Sequence, residues 1–194
     1  MKIKILIILI FIFNINFSAL SKEPSKFIEE ITSKASAILA SDTTKENKIN
    51  NLKKIAENNV DINGIGMYTL GKYRKTIRDD QKSIYNDLFK KYFLKSFSSR
   101  LVDYTDPEIK ILSEEKISDN YTMVRSILVA TDKRPEVKLD WRVYTKNTSK
   151  PLIRDLVIEG LSLARTQKEE FNSIIVSNDN NIEALFKNLR KFIN

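Results

Sequence analysis

Apolar positions along the first part of the chain recur at helical spacing. Phe27, Ile28, Ile31, Ala35, Ile38 and Leu39 form one stripe, and Ile49, Leu52, Ile55 and Ala56 a second, so residues 22–59 are expected to fold as two helices. Pro24 suits a first helical turn, and Ser41-Asp42-Thr43-Thr44 supplies a break and a cap. After the turn-rich Asn58–Gly64, residues Ile65–Tyr73 read as a short, loosely helical segment interrupted by Gly66 and Gly71. A glycine inside a helix costs about 1 kcal/mol relative to alanine. The segment therefore either gains from close backbone approach to a neighbour or is a simple loop-to-helix junction. The longest helix is expected over Asp79–Leu101, with Ile84, Tyr85, Leu88, Phe89, Tyr92, Phe93, Phe97 and Leu101 on one wide stripe. Five of those eight side chains are aromatic, enough to wall one side of a core or a cavity.

From Glu108 the period changes to two. A first strand is expected from Ile109 to near Leu112, and a second over Tyr121–Thr131, where Val124, Ser126, Leu128 and Ala130 alternate with Met123, Arg125, Ile127 and Val129. A third carries Val137, Leu139, Trp141 and Val143 on one face and Lys138, Asp140, Arg142 and Tyr144 on the other. In the fourth, Leu152, Arg154, Leu156 and Ile158 share one parity, and Ile153, Asp155 and Val157 the other. Turns at Asp132–Pro135 and Asn147–Pro151 imply antiparallel neighbours. Gly160 marks a sharp bend or a close approach, Ser162 caps a helix over Ala164–Val176, and Ile182, Leu185, Phe186, Leu189 and Phe192 drive a last helix. Helices, then strands, then helices describe an α+β fold: a curved antiparallel sheet of about four strands packed against helices, a half-cone able to hold an apolar cavity.

Candidate chemistry narrows the picture mainly by what is missing. There is no His and no Cys, which excludes thiol nucleophiles, Ser–His triads, His-based metal sites and disulfides. Ser162 is not in a G-x-S-x-G elbow, and no metal or cofactor site is indicated. Lys2 and Lys4, the apolar run Ile5–Phe13 and Ala19-Leu20-Ser21 have the form of a secretory signal, with cleavage expected after Ser21. Residues 1–21 are thus a cleaved signal peptide and 22–194 a single domain, expected to be soluble because no second long apolar run follows. Net charge is +8, or +6 once Lys2 and Lys4 are removed. For an exported protein, that excess points to anionic headgroups or acidic partners rather than nucleic acid, or simply to solubility, since the basic residues are spread along the sequence.

Asp155-x4-Gly160-x-Ser162-Leu163, with Phe171 eight residues on, resembles the signature of the MlaC (toluene-tolerance) family. Further matching positions are Leu70-Gly71-Lys72-Tyr73, Gln81 leading to Phe89 and Tyr92-Phe93, Tyr104, Asp140-Trp141-Arg142 and Leu185–Leu189. Leu152 stands near a position where the family often has Trp, and Lys168 where it often has Arg. The resemblance implies an NTF2-like half-cone that holds acyl chains. It implies a periplasmic phospholipid-binding shuttle between an inner-membrane ABC transporter complex and an outer-membrane lipoprotein/porin complex, maintaining outer-membrane lipid asymmetry. The tail pocket it suggests is lined by Tyr68, Leu70, Phe89, Phe93, Phe97, Val124, Leu139, Trp141, Val143, Ile158, Leu161 and Leu163, with Leu161 the foremost. Two readings stay open beside it: another apolar ligand, sterol-like or quinone, or an enzyme on a similar fold using Asp140 and Asp155 as acid and base.

Overall fold

The computed structural model of the protein describes residues 23–194, so the expected signal peptide lies outside the described residues. The elements in chain order are α1 (Pro24–Ala40), α2 (Lys45–Asn59), α3 (Ile62–Thr69), a 3-10 turn (Gly71–Lys75), α4 (Asp79–Leu101), β1 (Ile109–Ser118), β2 (Tyr121–Leu128), β3 (Val137–Tyr144), β4 (Leu152–Ile158), β5 (Leu161–Ser162), α5 (Leu163–Val176) and α6 (Ile182–Ile193). The fold is α+β, and the strands form one curved, unclosed antiparallel sheet in the order β1-β2-β3-β4-β5. Helix starts follow local side-chain chemistry. Thr44, Asp61, Ser162 and Asn181 each accept a hydrogen bond from a backbone N–H in the first turn of the helix that follows.

Three details depart from the sequence reading. First, β1 runs on to Ser118 instead of ending near Leu112. Leu112 and Ile117 are each an extra residue in the pairing with β2, so two bulges throw both side chains outward and hide the strand's alternation. Second, β2 stops at Leu128, whose pairing with Val137 is the last with β3, although Val129 N–H still donates to Glu108 O on the β1 side. Third, a fifth strand exists. Glu159 and Gly160 both have positive φ (48° and 82°), the signature of a two-residue hairpin turn, and Ile158 and Leu161 pair across it. Gly160 therefore serves the bend. A side chain there would meet open space, so of the two uses open from the sequence, a sharp bend or a close approach, the bend is the one found.

A bulge at Arg154 also changes the parity of β4. Val143 pairs with Ile153, but Arg142 pairs with Asp155. Ile153 consequently joins Leu156 and Ile158 on the apolar face, whereas simple alternation had opposed them. Arg154 turns to the other face, where its guanidinium lies 3.5 Å from the Tyr144 ring centroid and donates to Asp61 Oδ2 (2.6 Å) and Tyr121 OH (2.6 Å). Burial acts against its charge, but the bonds to Tyr121 and Asp61 outweigh burial and hold its pKa above the ordinary value.

Two apolar cores result. One lies between the sheet and α1, with Phe27, Ile28 and Ile31 against Val124, Val143 and Ile153. The other is all-helical and gathers Ile65, Leu70, Tyr85, Phe89, Phe171 and Phe186 from the helical segments between α3 and α6. Gly66 belongs to the second. A Cβ there would stand 2.8 Å from Phe89 Cδ1, so the glycine is what lets α3 seat on α4. Helix α4 packs on α2, α3 and α6 and, among the described residues, makes no substantial contact with any strand. No described helix is long and apolar enough to cross a membrane.

Candidate functional site

Strand register assembles the apolar face from side chains far apart in sequence. One cross-strand row runs Ser126, Leu139, Ile158, Leu161 from β2 to β5, and the next runs Val124, Trp141, Leu156. A third, Thr122, Val143, Ile153, lies under α1. Exposure rises along the first row. Ser126 is 1 % and Leu139 7 % exposed, Ile158 is half-buried, and Leu161 reaches 60 %. The Ser126 hydroxyl is satisfied internally, accepting from Trp141 Nε1 (2.9 Å) and donating to Leu139 O (3.1 Å), which keeps the face apolar and orients the indole.

The residues expected to form a pocket divide into three groups by environment. Leu70 and Phe89 are buried in the helical core, and Val124 and Val143 in the core under α1. Leu139 is buried outside both cores, while Trp141, Ile158, Phe93 and Phe97 are half-buried. Phe97 stacks on Phe93 at 5.9 Å with rings 8° from parallel, extending the α4 aromatic stripe past the helical core. Tyr68, Leu161 and Leu163 are exposed. The last two stand together where β5 passes into α5. Register thus joins Val124, Leu139, Trp141, Val143, Ile158 and Leu161 on one face. Leu70 and Tyr68 belong to the α3 region instead.

The two carboxylates weighed for acid–base chemistry lie on the opposite face. Asp155 is 4 % exposed, accepts from Ser162 Oγ (2.6 Å) and Ala164 N (3.0 Å), and sits 3.6 Å from Arg142 Nη1. It ties β4 to the N-terminus of α5, the end of a helix that favours negative charge. The Asp155-x4-Gly160-x-Ser162 spacing is therefore a strand–hairpin–helix clasp. Asp140 pairs with Arg125 and Val157, between Lys138 and Arg142 on the polar face of β3. Among the described residues, no cluster of three or more His, Cys, Asp or Glu side chains is placed to hold a metal ion.

One feature escaped the sequence reading. The 3-10 turn and α5 form a groove of about 340 Å³ lined by Tyr68, Gly71, Lys72, Arg74, Lys75 and Lys168. The basic residues taken as spread along the chain are locally concentrated here. Lys72, Arg74 and Lys75 were a visible cluster, but Lys168 arrives from a remote helix.

Residues 29–191 match the family described as MlaC protein. The chain belongs to the MlaC family. Among solved structures, the phospholipid-binding protein from Ralstonia solanacearum, determined in complex with a phospholipid, aligns with a TM-score of 0.74 and 16 % identity. The alignment covers 89 % of this chain and 97 % of that one, and at this identity it establishes a shared fold. No curated protein matches the chain. As an MlaC-family fold, the apolar rows and the Asp155 clasp form one unit: the clasp holds α5 against the sheet edge from which Leu161 emerges.

Proposed function

We propose that this protein is a periplasmic phospholipid carrier, shuttling lipid between an outer-membrane complex and an inner-membrane ABC transporter complex and so maintaining outer-membrane lipid asymmetry. The observation that carries the reading is the row Ser126–Leu139–Ile158–Leu161, an apolar track leading from the sheet interior to open surface. Family membership and the phospholipid held by the Ralstonia protein support the choice of cargo. Leu139, Trp141, Ile158, Phe93 and Phe97 would receive acyl chains, with Leu161 and Leu163 at the mouth. Val124, Val143, Leu70 and Phe89 would back that lining from the two cores, and Tyr68 would lie outside it.

The physical requirement is simple. Each exposed methylene costs roughly 0.8 kcal/mol in water, so two acyl chains with about 30 methylenes cost on the order of 20 kcal/mol or more. A carrier must keep both tails against apolar surface throughout its passage. Transfer then becomes nearly isoenergetic with the bilayer and needs no covalent step. The space for tails would open between α4 and the sheet, since α4 is anchored on other helices and does not fill that face. The half-buried side chains would move from intermediate burial to full contact with lipid.

Mass spectrometry of an organic extract of purified residues 22–194 tests the reading. Phospholipid near one molecule per protein is expected. No bound lipid, together with no uptake from phospholipid vesicles, would overturn it. A sterol-like or quinone compound would keep the cavity and change the cargo.

A further inference from the structure

The groove between the 3-10 turn and α5 is not used by the tail-binding face, and its charge is unbalanced. Among the described residues, Lys72, Arg74, Lys75 and Lys168 take part in no ion pair, whereas Lys45, Lys90, Lys91, Lys116, Arg125 and Arg165 each hold a carboxylate. Lys72 instead lies over the Tyr73 ring at 5.1 Å, and Lys168 over the Tyr68 ring at 5.3 Å. The backbone is shaped to bring them together. Gly71 has φ 56°, and a Cβ on it would stand 3.2 Å from Lys168 Cε, so the lysine stem lies directly over the turn. In a 3-10 turn, residues three apart eclipse one another, which stacks Lys72 and Lys75 on one side.

We infer that this groove is a docking site for phosphate groups of an anionic bilayer surface, by which the carrier presents its mouth to a membrane. The inference rests on the carrier reading and adds its membrane contact. Phosphate is the chemistry that suits the site. Arg74 can meet it with a planar fork, and lysine ammoniums meet it as point charges. Tyr68, an exposed phenol with an apolar body and a polar tip, suits the headgroup layer. The volume, about 340 Å³, matches one headgroup better than an extended protein face. Position agrees as well. Lys168 follows Leu163 by five residues on α5, roughly 7–8 Å along the helix axis and about 140° around it, so the groove lies within about one and a half turns of the β5–α5 junction that carries Leu161 and Leu163.

The test compares vesicle binding by the lipid-loaded mature protein and a variant carrying Lys72→Gln, Arg74→Gln, Lys75→Gln and Lys168→Gln. A control carries Lys54→Gln, Lys133→Gln, Lys146→Gln and Lys150→Gln, which removes the same charge from exposed sites elsewhere. Vesicles are phosphatidylglycerol with phosphatidylcholine, or phosphatidylcholine alone, and flotation measures partition. Each basic residue at an anionic surface strengthens partition about fivefold, so the groove variant, which lacks four, should lose binding to the anionic vesicles by about a hundredfold or more, and the control far less. Wild-type binding should weaken steeply with added salt. Circular dichroism and co-purified lipid at wild-type stoichiometry establish that the variant folds and still carries cargo. Equal losses in groove variant and control would overturn the inference, leaving only net charge. A changed headgroup composition of the co-purified lipid, with vesicle binding intact, would also overturn it, making the groove a cargo subsite. Absence of vesicle binding by the wild type would overturn it in favour of an acidic protein partner. Failure of the carrier reading itself shows separately, as absence of lipid from the wild-type extract.

Discussion

At the residue scale, Leu161 and Tyr85 show how differently two apolar side chains can serve the same fold. Leu161 is mostly exposed and contributes little to either core, so on the carrier reading a polar replacement would remove lipid contact without removing structure. Leu161→Glu should leave the thermal midpoint within a degree or two of delipidated wild type, in keeping with a surface substitution worth about 0.5 kcal/mol or less, while abolishing co-purified phospholipid. Wild-type lipid stoichiometry in that variant would refute the mouth assignment. Tyr85 is fully buried, donates to Gly66 O (3.0 Å) and accepts from Thr69 Oγ1 (2.8 Å). Burial pushes its phenol well above the ordinary pKa, because a phenolate would be desolvated there. Tyr92 is raised by the same cause. The unfolded phenol ionises near pH 10, so above roughly that pH the unfolded state has released protons that the native state retains. Stability from these groups is thus complete below about pH 10 and falls as pH rises. Urea titrations at pH 8 to 11 should show that decline, and Tyr85→Phe should flatten part of it.

At the scale of elements, the α3–α4 seam is set by a missing side chain. Gly66→Ala would gain about 1 kcal/mol of helix propensity, but its methyl group would press on the Phe89 ring at 2.8 Å, and overpacking of that kind costs about 1–3 kcal/mol. Net destabilisation is expected, read as a lowered denaturation midpoint with an unchanged m-value. A stabilised variant would show that α3 is loosely seated. The alternative use of this glycine, a plain junction, was equally open from sequence, since nothing local says which aromatic stands opposite. Helix limits were more legible, because caps such as Thr44 and Ser162 act within three residues of themselves. Strand limits were less so. The bulges at Leu112, Ile117 and Arg154 are consequences of pairing with a neighbour and leave no period of their own in the chain.

At the scale of the whole molecule, the carrier reading would make stability depend on cargo, because half-buried apolar side chains lie beside the two cores. A ligand that binds only the native state adds RT ln(1 + [L]/Kd), about 2.7 kcal/mol at a hundredfold excess over Kd. Delipidated protein should therefore melt several degrees below the loaded form, and phospholipid vesicles should restore the difference. Identical midpoints, with lipid loss verified by extraction, would count against burial of tails in the fold. On the carrier reading, the same architecture would separate the working surfaces: tails on the apolar sheet face, charge in the groove beyond α3, and the Asp155 clasp on the opposite side.

Sequence alone determined the α+β class, most helices, the order of the strands and the family, because caps, periodicity and motif spacing are local properties of the chain. It also identified Asp155, Gly160 and Ser162 as one motif, and it could place Asp155 only by parity, as a possible partner for arginine. Tertiary structure decided the rest. The bulge at Arg154 moved Ile153 onto the apolar face, and hairpin closure at Glu159-Gly160 set Leu161 beside Ile158. Lys168 was carried into the company of Lys72, Arg74 and Lys75. Each of these depends on where a distant segment lies, and a strand's neighbours, a helix's seat and a charge's company exist only once the chain has closed on itself.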